Sequence, residues 1–168
     1  MPQRPARGSR LPIIPAMQSP DPSPTLAPPR LVAWLGYGGL LPFAALAAAP
    51  WAGLLPRELA AQALVAYGAV ILSFVGALHW AFAMTLPVDG PQRERLFAWS
   101  VVPALIAWPA LMLPAAGAVP LLVAGFAAHY LQDRRLAAPG GLPAWYLPLR
   151  LRLSAVASLC LVSLLAAA

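Results

Sequence analysis

Lysine and asparagine are absent from all 168 residues, and cysteine occurs once, as Cys160. A single thiol excludes an intramolecular disulfide framework. Its setting, SLCLVSL, is that of an inert packing thiol. Charge is scarce as well: charged residues make up 10% of the chain, against about 25% in typical soluble domains. The spacings HExxH, CxxC, GxSxG and the phosphate loop are all missing, so no catalytic residue is assigned and a non-enzymatic role is expected.

What fills the chain is apolar. Hydrophobic residues reach 61% and the mean hydropathy is +0.73. A soluble domain of this length cannot hide so much apolar surface, so the expected solvent is lipid. The net charge of +6 comes from arginines at the ends of apolar runs, without a long basic cluster or an aromatic RNA-binding signature. That pattern argues against nucleic acid and for membrane orientation. Abundant Ala, Pro, Leu and Arg beside absent Lys and Asn match GC-rich codons, which points to a bacterial inner membrane.

Residues 1–30 hold nine prolines and no long apolar run. They are expected to form a disordered tail, without the apolar core of a cleavable signal peptide. Met17 offers a second translation start within it. Residues 31–168 are expected to form one all-α membrane domain of five spans, at about 31–49, 59–84, 96–113, 117–132 and 147–168. The second span, roughly 39 Å as a helix, should tilt or protrude. Segment 96–132 would be roughly 55 Å as one helix, too long for a single crossing. Pro114 and Gly117 are therefore expected to turn it into a hairpin.

With five crossings, Arg4, Arg7, Arg10, Arg30, Arg93, Arg95, Arg134, Arg135, Arg150 and Arg152 fall on one side and Arg57 alone on the other. The positive-inside rule then puts the N-terminus in the cytoplasm and the C-terminus in the periplasm. Trp51, Trp145 and Tyr146 are expected in aromatic belts. The loop groups Asp89, Arg93, Glu94, Arg95 and Asp133, Arg134, Arg135 are read as a capping ion network or as a surface for anionic headgroups.

Ionisable residues within spans are rare and usually functional. His79 and His129 are the two here, expected at similar depth in one leaflet. As a pair they suit a haem b held from both faces, a quinone, or proton transfer to Asp133 four residues on. Two histidines fall short of a three-ligand metal site unless a carboxylate joins, and no metal is assigned. The bland alternative gives each a polar edge turned to headgroups, as with the adjacent Trp80 and Tyr130. In the second span, Gln62, Ala69, Ser73, Gly76, Trp80 and Ala83 recur at spacings of three and four. This small-residue stripe is expected to pack against other helices, with His79 at its border.

LGYGGLLPFAAL, YGAVILSFVGALHWAFAM, YLQDRR and LPAWYLPLRLRLS occur in an order that resembles the membrane family called domain of unknown function 3429. The resemblance covers about residues 31–165. It implies a multi-pass helical protein and carries no catalytic residues. The expected role is an accessory or assembly protein that works through the lipid bilayer, a membrane partner or self-association. Redox or transport chemistry at His79 and His129 is the alternative.

Overall fold

Proline and glycine set the breaks between helices, and the apolar runs fill the helices themselves. The computed structural model describes residues 27–137 and 142–166. The proline-rich tail expected over 1–30 lies outside the described residues except for 27–30. Six helices follow: α1 Arg30–Gly38, α2 Leu41–Ala48, α3 Arg57–Thr85, α4 Gly90–Ala110, α5 Ala115–Ala137 and α6 Tyr146–Ala166. No strand occurs among the described residues.

Four stretches are long and apolar enough to cross a membrane: Arg30–Ala48, Arg57–Thr85, Ala115–Ala137 and Tyr146–Leu165. The chain is therefore a multi-pass helical membrane protein. The helix between the second and third of these stretches, α4, does not reach that standard. Arg93, Glu94 and Arg95 occupy its first two turns, so only 96–110 is free of charge, short of the about 20 residues a span needs. At 29 residues α3 is the longest helix. Its length of about 44 Å exceeds the roughly 30 Å of bilayer hydrocarbon, so it tilts or extends beyond the hydrocarbon.

The first apolar run is broken at 39–40, because Pro42 restarts the helix as α2. Tyr67 Oη donates to the Gly39 carbonyl at 3.0 Å, which ties this break to α3. Between α4 and α5 the chain turns at 111–114, so Pro114 stands at the turn while Gly117 lies within the first turns of α5. Asp89 caps α4 by accepting from the Gln92 backbone N–H at 2.7 Å.

α3 is the central helix and touches α2, α4, α5 and α6. Lipid tails are as apolar as leucine, so close packing, not water exclusion, holds such helices together. One close approach is at Gly76, where a Cβ atom would stand 2.7 Å from Cγ of Pro103 on α4. Phe43, Leu64, Leu72, Leu122, Phe126 and Leu161 form the apolar core.

Candidate functional site, a buried histidine–aspartate–arginine centre

One end of the bundle interior is polar. On α5, His129 and Asp133 are four residues apart and share a face. On α6, Tyr146 and Arg150 have the same spacing and face them. α3 brings His79 and α4 brings Trp99. His79, His129 and Asp133 are each 0% exposed and Arg150 is 7% exposed.

Asp133 is the hub. Arg150 Nε donates to its Oδ2 at 3.0 Å, and Tyr146 Oη donates to its Oδ1 at 3.4 Å. The Nε2 atoms of both histidines approach the same carboxylate, His79 at 3.6 Å from Oδ1 and His129 at 3.8 Å from Oδ2. Arg150 offsets the carboxylate charge, as a buried ion requires. The imidazoles touch edge to face, with centroids 4.8 Å apart, and Phe82 packs against both His79 and Tyr146. His79 Nδ1 and Nε2, His129 Nε2 and Arg150 Nη2 are buried with no hydrogen-bond partner among the described residues.

Trp99 fixes one proton. Its indole Nε1 can only donate, and it does so to His129 Nδ1 at 3.1 Å. The neutral His129 ring therefore carries its hydrogen on Nε2, the nitrogen aimed at Asp133. This decides between two chemistries. One ligand atom from each of His79, His129 and Asp133 lies within 4.8 Å of the others, the donor set of a two-histidine, one-carboxylate metal site. A metal at His129 Nε2 would need that atom stripped of its hydrogen, against the Trp99 contact, and would sit near the Arg150 cation. The arrangement suits proton transfer better than metal ligation. It does not suit haem b either: axial imidazoles stand on opposite faces of a porphyrin, and here the two rings are in contact.

Other residues read from the sequence fall in different places. Gly76, Ala69 and Ala83 are buried on the packing face of α3, Ser73 is half-buried, and Gln62 and Trp80 are exposed. Ser73 Oγ donates to the Ala69 carbonyl of its own helix at 2.8 Å, so it does not bond across an interface. The inward face is centred on Leu72, Gly76, His79 and Ala83, and His79 points to the interior instead of marking a border. Trp80 still packs edge to face on Phe97 of α4.

Asp133 is buried while Arg134 and Arg135 beside it are exposed. Among the described residues the ion pairs all converge on Asp133, so the loop charges do not form the expected capping network. Arg150, counted with the loop arginines, faces the interior, and Tyr146 belongs to the centre and not to an aromatic belt. Sequence reasoning missed Arg150, Tyr146 and Trp99 as site residues. One signal was present: a lone acidic residue on an apolar helix needs a cation, and Arg150 and Arg152 are arginines set inside the last apolar run.

The family model described as "Protein of unknown function (DUF3429)" matches residues 28–166. Over 142 residues the chain is 37% identical to Transmembrane protein 69 of Xenopus tropicalis, covering 80% of this chain and 53% of that protein. The chain thus spans about half the length of the curated relative it matches. No solved structure matches significantly. The chain belongs to the DUF3429 family of proteins of unknown function, and every residue of the buried centre lies inside the matched region.

Proposed function

We propose that this DUF3429 protein is a five-span protein of a bacterial inner membrane whose buried centre holds and passes a proton near the cytoplasmic surface. The fifth crossing is α4, whose charged first turns would sit among headgroups, where arginine is tolerated. Orientation rests on the arginines. With Arg150 inside, one side still keeps Arg30, Arg93, Arg95, Arg134, Arg135 and Arg152 among the described residues, against Arg57 on the other. The N-terminus is then cytoplasmic and the C-terminus periplasmic. The bacterial assignment rests on the arginine-for-lysine composition.

The observation that carries the proton role is the convergence of two imidazoles on one fully buried carboxylate. Imidazole nitrogens both give and take protons, and Asp133 lies within one short hop of each. His79 and His129 would be the ends of the relay and Asp133 its middle.

Nitrogen NMR of histidine-labelled protein in nanodiscs tests this, because the chain has only two histidines. His129 is expected as the Nε2–H tautomer, and both rings should change tautomer or protonation when pH is stepped from about 9 down to about 3, across the histidine and carboxylate ranges. Asp133→Asn should alter that response. Two rings locked in one tautomer and unmoved by Asp133→Asn would overturn the reading.

A second reading, an accessory or assembly protein, rests on α1. This helix has no buried residue, and Leu31, Trp34 and Leu35 are 69%, 78% and 68% exposed. A homo- or hetero-oligomer in mild detergent that Trp34→Ala dissolves would support it. A partner-free monomer would remove it.

A further inference from the structure

The first turns of α4 and the last turns of α5 carry the same pattern, Gln-x-x-Arg. On α4 it is Gln92 and Arg95, and on α5 it is Gln132 and Arg135. Residues three apart share a helix face, so each glutamine points the same way as its arginine. All four line one cavity of about 400 Å³ between the two helices, together with Asp89. The buried side chains of Leu96 and Leu136 line it as well. Asp133 faces the interior from the same stretch of α5 and takes no part in the lining, so this cavity is separate from the buried centre.

Its charges are of both signs and are held apart. Among the described residues every ion pair lies on Asp133, so neither Arg95 nor Arg135 is paired with Asp89. Asp89 Oδ1 accepts from the Gln92 backbone N–H at 2.7 Å as the cap of α4, and Oδ2 takes no part in that bond. Both arginines are exposed, so a ligand can reach their guanidinium groups. A lone anion in the cavity would gain from the arginines and be repelled by Asp89. A lone cation would meet the reverse. A zwitterion with phosphate at one end and ammonium at the other satisfies both. The planar fork of arginine matches phosphate oxygens, and the two glutamine amides add neutral donors. A primary ammonium donates N–H bonds to a carboxylate, which a quaternary one lacks the hydrogens to do.

We infer that the cavity binds the phosphoethanolamine head of an aminophospholipid. The phosphodiester oxygens accept from Arg95 and Arg135, and the ammonium donates to Asp89 Oδ2. The choice of a lipid over a dissolved solute rests on the five-span reading, which sets the first turns of α4 among headgroups. Basic pockets between membrane helices are a known kind of headgroup site. Here the carboxylate adds a preference for the amine.

The test is native mass spectrometry of the full chain released from detergent, with equimolar phosphatidylethanolamine, phosphatidylcholine and phosphatidylglycerol of identical acyl chains. The first lipid adduct is expected to be phosphatidylethanolamine, at least fivefold over each of the others. Asp89→Asn keeps a helix-capping side chain and should bring the ethanolamine-to-choline ratio close to one. Arg95→Gln with Arg135→Gln, both at exposed positions, should lower the first adduct of all three lipids at least fivefold. Glycerophosphoethanolamine, the same head without chains, should need at least a hundredfold excess to displace the lipid.

Four results would overturn the proposal. Phosphatidylcholine bound as well as phosphatidylethanolamine would remove the role of the ammonium. Phosphatidylglycerol bound best would leave only a basic surface. An ethanolamine preference unchanged in Asp89→Asn would place its origin elsewhere. Displacement by an equal concentration of the chain-free head would make the ligand a dissolved solute and count against the headgroup depth of α4. The proton reading is tested separately by the histidine NMR, since none of these variants touches His79, His129 or Asp133.

Discussion

Around Leu64, Leu122 and Leu161 the interior of the bundle holds apolar side chains, all 0% exposed. Further along the same three helices it holds His79, His129, Asp133 and Arg150, almost as completely buried. The apolar half is stabilised by shape: each leucine fills space that lipid would fill less well. The polar half gains little from its ion pair, since desolvation of both charges roughly cancels their attraction. A polar interior is therefore a poor device for holding helices together, and its four unpartnered atoms make it poorer still. That contrast is the physical reason for reading function into one half and only packing into the other.

The sharpest way to break the contrast is Asp133→Asn. It leaves Arg150 buried without its counter-ion and should destabilise the fold by about 3–5 kcal/mol. Unfolding in mixed detergent micelles reads this directly. The double variant Asp133→Leu with Arg150→Met should recover most of the loss, because well-packed apolar replacements of buried pairs are often neutral or better. It should nevertheless abolish the pH response of the histidines. Asp133→Asn at wild-type stability would show that the carboxylate is not held as an ion and would erase the difference between the halves.

In the apolar half the matching variant is Leu161→Ala. Leu161 lies opposite Gly68, where a Cβ atom would already be 3.4 Å from its Cδ2. Core leucine truncations cost about 2–5 kcal/mol in soluble proteins. Here the helix leaves the bundle for lipid and not for water, so the cavity term dominates and the expected loss is near about 2 kcal/mol. The histidine spectra should not move. Combined with Asp133→Asn, the two losses should add within about 0.5 kcal/mol, as distant sites do. Strong coupling would mean that the halves are one cooperative packing unit.

Much of this architecture is legible in the chain. The apolar runs, the low charge and the prolines at 42 and 114 suffice for an all-helical membrane protein, and the two histidines stand out because each interrupts an apolar run several residues before the first charge of the loop. The polar half is less legible, for a reason of register. The stripe at Gln62, Ser73, Gly76 and Trp80 and the face that is buried differ by part of a turn. Small residues alone do not say which side of a helix meets its neighbours. Arg150 and Asp133 hide differently. Each is followed within two residues by exposed arginine, so each reads as part of an interfacial cluster until its helix is seen to turn it inward. Trp99 could be assigned only in three dimensions, since no sequence pattern joins α4 to a histidine thirty residues later.

The mildest variant isolates burial as the cause. Arg57 and Arg150 are both arginines in the first turns of long helices, and each bonds across to another helix. Arg57 Nη2 donates to the Leu164 carbonyl at 3.2 Å, near the C-terminus of α6. That helix has no basic residue in its own last turn, so Arg57 supplies a cation where the macrodipole favours one. Arg57 is only half-buried, however, and water or headgroups can satisfy whatever it releases. Arg57→Gln should therefore stay within about 0.5 kcal/mol of wild type. Arg150→Gln, which strands Asp133 in the interior, should lose several times as much. Equal losses would show that both arginines act as simple helix-end contacts, and the distinction between the two halves would rest on the histidines alone.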